Sequence, residues 1–220
     1  MTAIQIDDIV ERLTEGEAWM CQRLKPQHLS IYRTVRYRLD EYLLGFIASN
    51  IRFFTSHGKR HALGVVRQMY SLLRGLPPET LMQMTSVEVL ILLCSAWLHD
   101  IGLLVNKDGT GSPLSDKDIR DQHHRLSRDK ILEIHTDAGI DNPNLAHLLA
   151  QVCMCHRRSA VISEHLPEEQ AIQGERARPR LMAAILRMAD AMDTDWDRAP
   201  QVLVEKMTDL PDLARLHWRP

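Results

Sequence analysis

The 220-residue chain is 45% hydrophobic, enough for one substantial core, and its 27 basic against 29 acidic side chains leave a formal charge of −2. That balance excludes a nucleic-acid-coating protein and an acidic tail. The four cysteines, at 21, 94, 153 and 155, lack the spacing of a secreted scaffold, and no N-terminal segment reads as a signal peptide. The longest apolar run reads as too short to span a bilayer, so a soluble cytoplasmic protein with no membrane partner is expected.

Taken in order, Ile9, Val10, Leu13, Ala18, Met20, Cys21 and Leu24 have helical spacing, with Asp7 and Asp8 placed to cap, and Pro26 marks a break or a new first turn. From Gln27 to Phe54 a longer helix carries the stripe Leu29, Tyr32, Val35, Leu39, Leu43, Ile47 and Ile51, while Arg33, Arg36, Arg38, Asp40 and Glu41 read as a solvated face. A break at Thr55–Gly58 precedes a helix over Arg60–Arg74 that stops at Gly75. Thr85 and Glu88 form a capping box ahead of an all-apolar helix ending in Trp97-Leu98-His99-Asp100-Ile101-Gly102. The loop Asn106–Pro113 follows, and then a capped segment from Ser115 to about Gly139 carrying His123 and His124. A buried helix over Asn144–Arg157 ends in Cys155-His156-Arg157-Arg158. The polar stretch Glu164–Ala177 reads as a connection or second lid, and Pro179 opens the last periodic helix, through Met192. No convincing alternating strand precedes Gln201, so the fold class is all-α: a helical bundle over 51–200, an N-terminal helical extension over 1–50, and a segment over 201–220 that reads as the start of a further region.

Chemistry concentrates at the inner ends of these helices. A histidine and an aspartate closing a buried helix are costly unless paired or ligating, and a helix C-terminus favours a cation. His61, His99, Asp100 and Asp190 each follow or sit within an apolar periodic segment and can point into one interior. Two imidazoles and two carboxylates suit a divalent ion such as Mn, Fe, Co, Ni or Zn, which lowers the pKa of bound water and polarises a phosphoryl oxygen.

In its motifs the chain resembles the HD-domain phosphohydrolase superfamily, whose ligand order is His, then His-Asp, then Asp. The matching pieces are His61-Ala62-Leu63-Gly64-Val65, then Trp97-Leu98-His99-Asp100-Ile101-Gly102, then Leu186-Arg187-Met188-Ala189-Asp190-Ala191-Met192-Asp193. The resemblance implies an all-α HD bundle and one or two divalent ions (Mn, Fe, Co, Ni, Zn or Mg). His61, His99, Asp100 and Asp190 hold the first; His123 or His124, with His156, completes a second site bridged by Asp100 or binds substrate. Adjacent helical residues point about 100° apart, so one of His123 and His124 faces the site and the choice stays open.

Among further residues, His57 either shares the face of His61 or donates to substrate phosphate from a loop. Arg157 and Arg158, like Arg60, Arg125 and Arg128, are suited to phosphate oxygens, with surface solvation the alternative. Asp100, His156 and Asp193 are the candidate catalytic groups. Asp193 would take the proton of the attacking water, a cap or internal ion pair being its alternative. Cys153 and Cys155 read as core thiols rather than zinc ligands. Leu103 stands where the HD-GYP branch has lysine, and no Gly-Tyr-Pro follows His156, so that branch is set aside. The His57, His123-His124 and His156-Arg157-Arg158 combination looks more like the HD modules of bacterial conflict and stress systems. The expected activity is metal-dependent hydrolysis of a nucleotide or related phosphoester. The alternatives are a non-hydrolysing nucleotide sensor acting on a partner domain, and a di-iron oxygenase on the same scaffold. A homo-oligomer is compatible with all three.

Overall fold

A computed structural model describes residues 13–46, 58–105 and 110–193. Its axis is the helix Ser86–Leu98, here α5, and all thirteen of its residues are buried. The sequence dictates this: Val87 to Leu98 offers no polar face to water, so the helix must be surrounded. Thr85 accepts from the Glu88 amide and the Glu88 carboxylate reaches back to the Thr85 amide, which caps the helix as its sequence predicts. Including the turn at His99 and Asp100 and the 3-10 turn Ile101–Leu104, the segment Ser86–Leu104 runs 19 residues at mean hydropathy 1.8. Length therefore does not exclude a span, contrary to the sequence expectation. With 89% of its window buried inside the fold, the segment is a core element.

Around α5 lie α1 (Glu15–Cys21), α2 (Pro26–Phe46), α3 (Lys59–Arg74) and the short α4 (Pro78–Met82) on the N-terminal side. After α5 in the chain come α6 (Asp116–Ile134), α7 (Pro143–Met154), α8 (Ile162–His165) and α9 (Pro179–Met192). α2, α3, α7 and α9 pack on α5, α3 packs on α9, and α6 packs on both α7 and the 3-10 turn. Tyr32, Val35 and Leu39 of the α2 stripe are in the core, as are Val65, Val66, Met69 and Leu73 of α3. The inner ends of α3, α5, α7 and α9 and the middle of α6 thus meet in one interior.

Two sequence expectations are corrected. Arg36 does not lie on a solvated face: it is 8% exposed, and its Nε donates to Glu17 Oε1 at 2.7 Å. Glu17 is 0% exposed and also accepts from the Tyr32 hydroxyl at 2.6 Å, so it gathers α1 and α2 beside Trp97 of α5. Strands do precede Gln201: Gln170–Ile172 (β1) and Glu175–Ala177 (β2) pair antiparallel, joined at Gln173 and Gly174 with φ 50 and 77. Two left-handed residues make the tight hairpin turn, and strands of three residues are too short to show alternation. The hairpin belongs to the N-terminal end of α5: the Thr85 hydroxyl donates to Arg176 O, and Glu175 accepts from the Ser86 amide. It is therefore a clamp on that end rather than a lid over His99, roughly 20 Å away at 1.5 Å per helical residue. α1 begins at Glu15 under a capping box from Thr14; Asp7 and Asp8 lie outside the described residues.

Candidate metal centre

His61 sits in the first turn of α3, His99 caps the C-terminus of α5, and Asp190 lies in the last turn of α9. Their ligand atoms converge: His61 Nε2 is 3.1 Å from His99 Nε2 and 3.3 Å from Asp190 Oδ1. Asp100, two residues past α5, turns its Oδ2 to within 3.5 Å of His61 Nε2 and 3.4 Å of His99 Nε2. Its other oxygen faces a second group. Oδ1 is 3.5 Å from His123 Nε2 on α6 and 3.7 Å from His156 Nε2 just beyond α7, and those two nitrogens are 2.9 Å apart. Two sets of three, His61–His99–Asp190 and Asp100–His123–His156, have the spacing of metal ligands.

The donor chemistry fits divalent cations. Metal–ligand bonds of about 2.05 Å place tetrahedral ligands roughly 3.3 Å from one another, in the middle of the distances observed. Each imidazole also presents Nε2 inward while Nδ1 is held from behind. His61 Nδ1 lies 2.7 Å from Asp193 Oδ2, His99 Nδ1 3.2 Å from Ala96 O, His123 Nδ1 2.8 Å from Arg120 O and His156 Nδ1 2.6 Å from Cys153 O. An acceptor on Nδ1 fixes the tautomer that leaves an Nε2 lone pair for a metal.

A protein-family model described as HD-CE matches residues 41–220. The chain belongs to the HD-CE family, a family of HD domains. No curated protein and no solved structure matches it. Family membership and the two His/Asp groups together fit an HD-type metal-dependent domain.

The HD-CE fold answers the choice between adjacent histidines: His123 enters the donor group. His124 is buried at 5% exposure outside it, its Nδ1 without a hydrogen-bond partner. Burial, with the charges of His123, Arg157, Arg125 and Arg128, pushes His124 down to about 4. Asp193, 3% exposed, lies behind His61, on the ring edge away from the other donors. Arg157 is half-buried and Arg60, Arg125 and Arg158 are exposed, while Arg128 pairs with Asp129. His57 lies outside the described residues. All four cysteines are free and buried, and burial raises each thiol, as core residues require.

Electrostatically the two groups differ. Burial works to lower His61, but hydrogen bonds to Asp100, Asp190 and Asp193 outweigh it and push it up to about 10. Burial would raise Asp190, yet His61 and His99 hold it well below the usual carboxylate range. Burial, with His99 next, pushes His156 down to about 3, so it stays neutral and ready to ligate. Without an ion His61 therefore keeps a proton at neutral pH, and His156 does not.

Sequence reasoning missed the contacts that hold these residues. Gly102 N donates to Ser127 Oγ at 2.9 Å, and a Cβ on Gly102 would lie 2.2 Å from His123 O and 2.4 Å from Ser127 N. Only glycine lets the backbone after Asp100 lie against α6 and bring His123 to it. Likewise a Cβ on Gly64, one turn after His61, would lie 2.2 Å from Asp193 Oδ1. Arg187, one turn before Asp190, donates to Cys155 O, Arg157 O and Ala160 O beside His156. The one available signal for it was an arginine set within the apolar run of α9.

Proposed function

We propose that this HD-CE protein is a phosphohydrolase acting on a nucleotide or related phosphoester with two divalent ions. The observation that carries the reading is Asp100, whose two oxygens each face a separate histidine-rich group. In this reading His61, His99, Asp100 and Asp190 would hold one ion, and Asp100, His123 and His156 the other. Bound there, the ions supply Lewis acidity toward a phosphoryl oxygen and a water of lowered pKa.

The chain's own residues do the rest. Asp193 keeps the Nδ1 proton of His61, and backbone carbonyls keep those of His99, His123 and His156, so every ring is held in its ligating orientation. That placement favours an orienting role for Asp193 over a general base. It favours a ligand role for His156 over an acid, because both of its nitrogens are engaged. Arg157 and Arg158, directly after His156, supply guanidinium forks for the non-reacting phosphate oxygens.

The test is phosphate or nucleoside release from mono-, tri- and cyclic nucleotides with added Mn, Co, Ni or Mg. Turnover that needs metal and disappears in Asp100→Ala is expected. Absence of turnover across the panel in metal-loaded protein would overturn the reading. The same carboxylate-bridged, nitrogen-rich pair of groups also suits di-iron chemistry, for which iron retention and oxygen consumption without phosphate release would be the mark.

A further inference from the structure

α7 ends at Met154, and the next residues must turn back while carrying His156 into the interior. The last carbonyls of a helix have no partner of their own, and here the turn Cys155–Ala160 leaves further carbonyls facing inward. They converge on one side chain. Arg187 Nε donates to Cys155 O at 3.1 Å, and its terminal nitrogen donates to Cys155 O at 2.6 Å, Ala160 O at 2.7 Å and Arg157 O at 2.9 Å. Within the turn Cys155, His156 and Ala160 are buried, the last two at 4% and 5% exposure, while Arg158 and Ser159 are exposed, so the two ends of the turn are fixed in the interior and its tip faces out.

We propose that Arg187 is a positioning residue for the second metal group: it caps α7 from α9 and sets the turn that presents His156 to Asp100 and His123. The proposal rests on the two-ion reading above. Three features support it. The guanidinium bridges both elements at fixed geometry, since its planar donors suit several carbonyls at once where a flexible ammonium would not. Arg187 stands three residues before Asp190, so a single turn of α9 carries a first-group ligand and the tether of a second-group ligand. Finally, a cation next to Asp190 would compete with a metal ion for that carboxylate; directed onto three carbonyls, Arg187 satisfies helix-end acceptors instead. His156 Nδ1, itself on Cys153 O, then has its backbone fixed from both sides.

The experiment compares parent, Arg187→Lys and Arg187→Met. In metal-free protein, amide hydrogen exchange is followed across 155–160 with α3 as internal reference; in parallel, Co(II) or Mn(II) is titrated and the ions per chain counted. Faster exchange confined to 155–160 is expected, together with second-ion affinity weakened on the order of 10- to 100-fold and the first ion retained. Arg187→Lys keeps the charge and tests the fork alone, so it decides the matter if Arg187→Met does not fold. Unchanged exchange in Arg187→Lys overturns the proposal, and so does faster exchange with second-ion affinity unaltered. A parent that takes up one ion overturns the two-ion reading and the metal half of this proposal with it, while the exchange result still judges the tether.

Discussion

The imidazoles do opposite things with protons, and this sets the pH behaviour. His61 has its pKa raised from 6.5 to about 10, so its contribution to the stability of metal-free protein is complete below 6.5 and is lost as pH rises through 10. His156 is depressed from 6.5 to about 3, so its contribution is present above 6.5 and is lost as pH falls towards 3. Thermal melts in chelator are expected to show a maximum near neutrality with a fall on both sides; a melting temperature flat from pH 6 to 9 would contradict the His61 assignment. Because an ion must displace the His61 proton, metal uptake is expected to release acid and to tighten with pH. Behind His61, Asp193→Ala is expected to weaken the first ion on the order of 10- to 100-fold, with Asp193→Asn losing less, measured by competition with a chromophoric chelator. The candidate ligands His61, His99, Asp100, His156 and Asp190 were legible because each lies at or just beyond the end of a helix with an apolar face, whereas His123 lies within the polar α6 and could not be told from His124. Asp193 was visible as a residue, but its partner was not, since nothing in a sequence shows which edge of a ring a carboxylate meets.

Among the helices, position was legible and contact was not. Capping boxes, proline starts and apolar stripes placed α3, α5, α6, α7 and α9 within a few residues, because those signals are local. The α6–α5 junction was not: the demand for glycine at 102 comes from backbone 25 residues away. Gly102→Ala is expected to destabilise the fold by about 1–3 kcal/mol through overpacking and to weaken the second ion more than the first, read by urea unfolding and metal titration. Arg36 was misread for a similar reason. Its position off the stripe said polar face, and only the approach of α1 turns that face inward onto Glu17. Breaking this buried pair from one side, as Arg36→Leu or Glu17→Leu, is expected to cost about 3–5 kcal/mol, whereas the double variant loses much less. Equal additive losses in the double-mutant cycle would show that the two side chains act separately.

At the scale of the molecule, the N-terminal helices α1 and α2 belong to the same core as the helices that carry the candidate metal ligands. Met20, Cys21, Tyr32, Val35 and Leu39 are all buried in one cluster with α5, although the HD-CE match begins only at residue 41. The Glu17–Arg36–Tyr32 network lies beside Trp97, two residues before His99. Of the stretch 1–50, the described helices α1 and α2 thus share the core of α5. The all-α class followed from period and length, which depend on each segment alone; the small hairpin depends on how segments meet, and the joining of two donor groups at Asp100 was expected from the family resemblance and not from any one segment.

The most direct measurement is the number of Mn(II) or Co(II) ions bound by metal-free parent and by Asp100→Ala. Two ions per chain in the parent, with the pair lost in the variant while circular dichroism shows the fold intact, is the result expected of a carboxylate that serves both groups. One ion in the parent, or two retained without Asp100, would contradict the account.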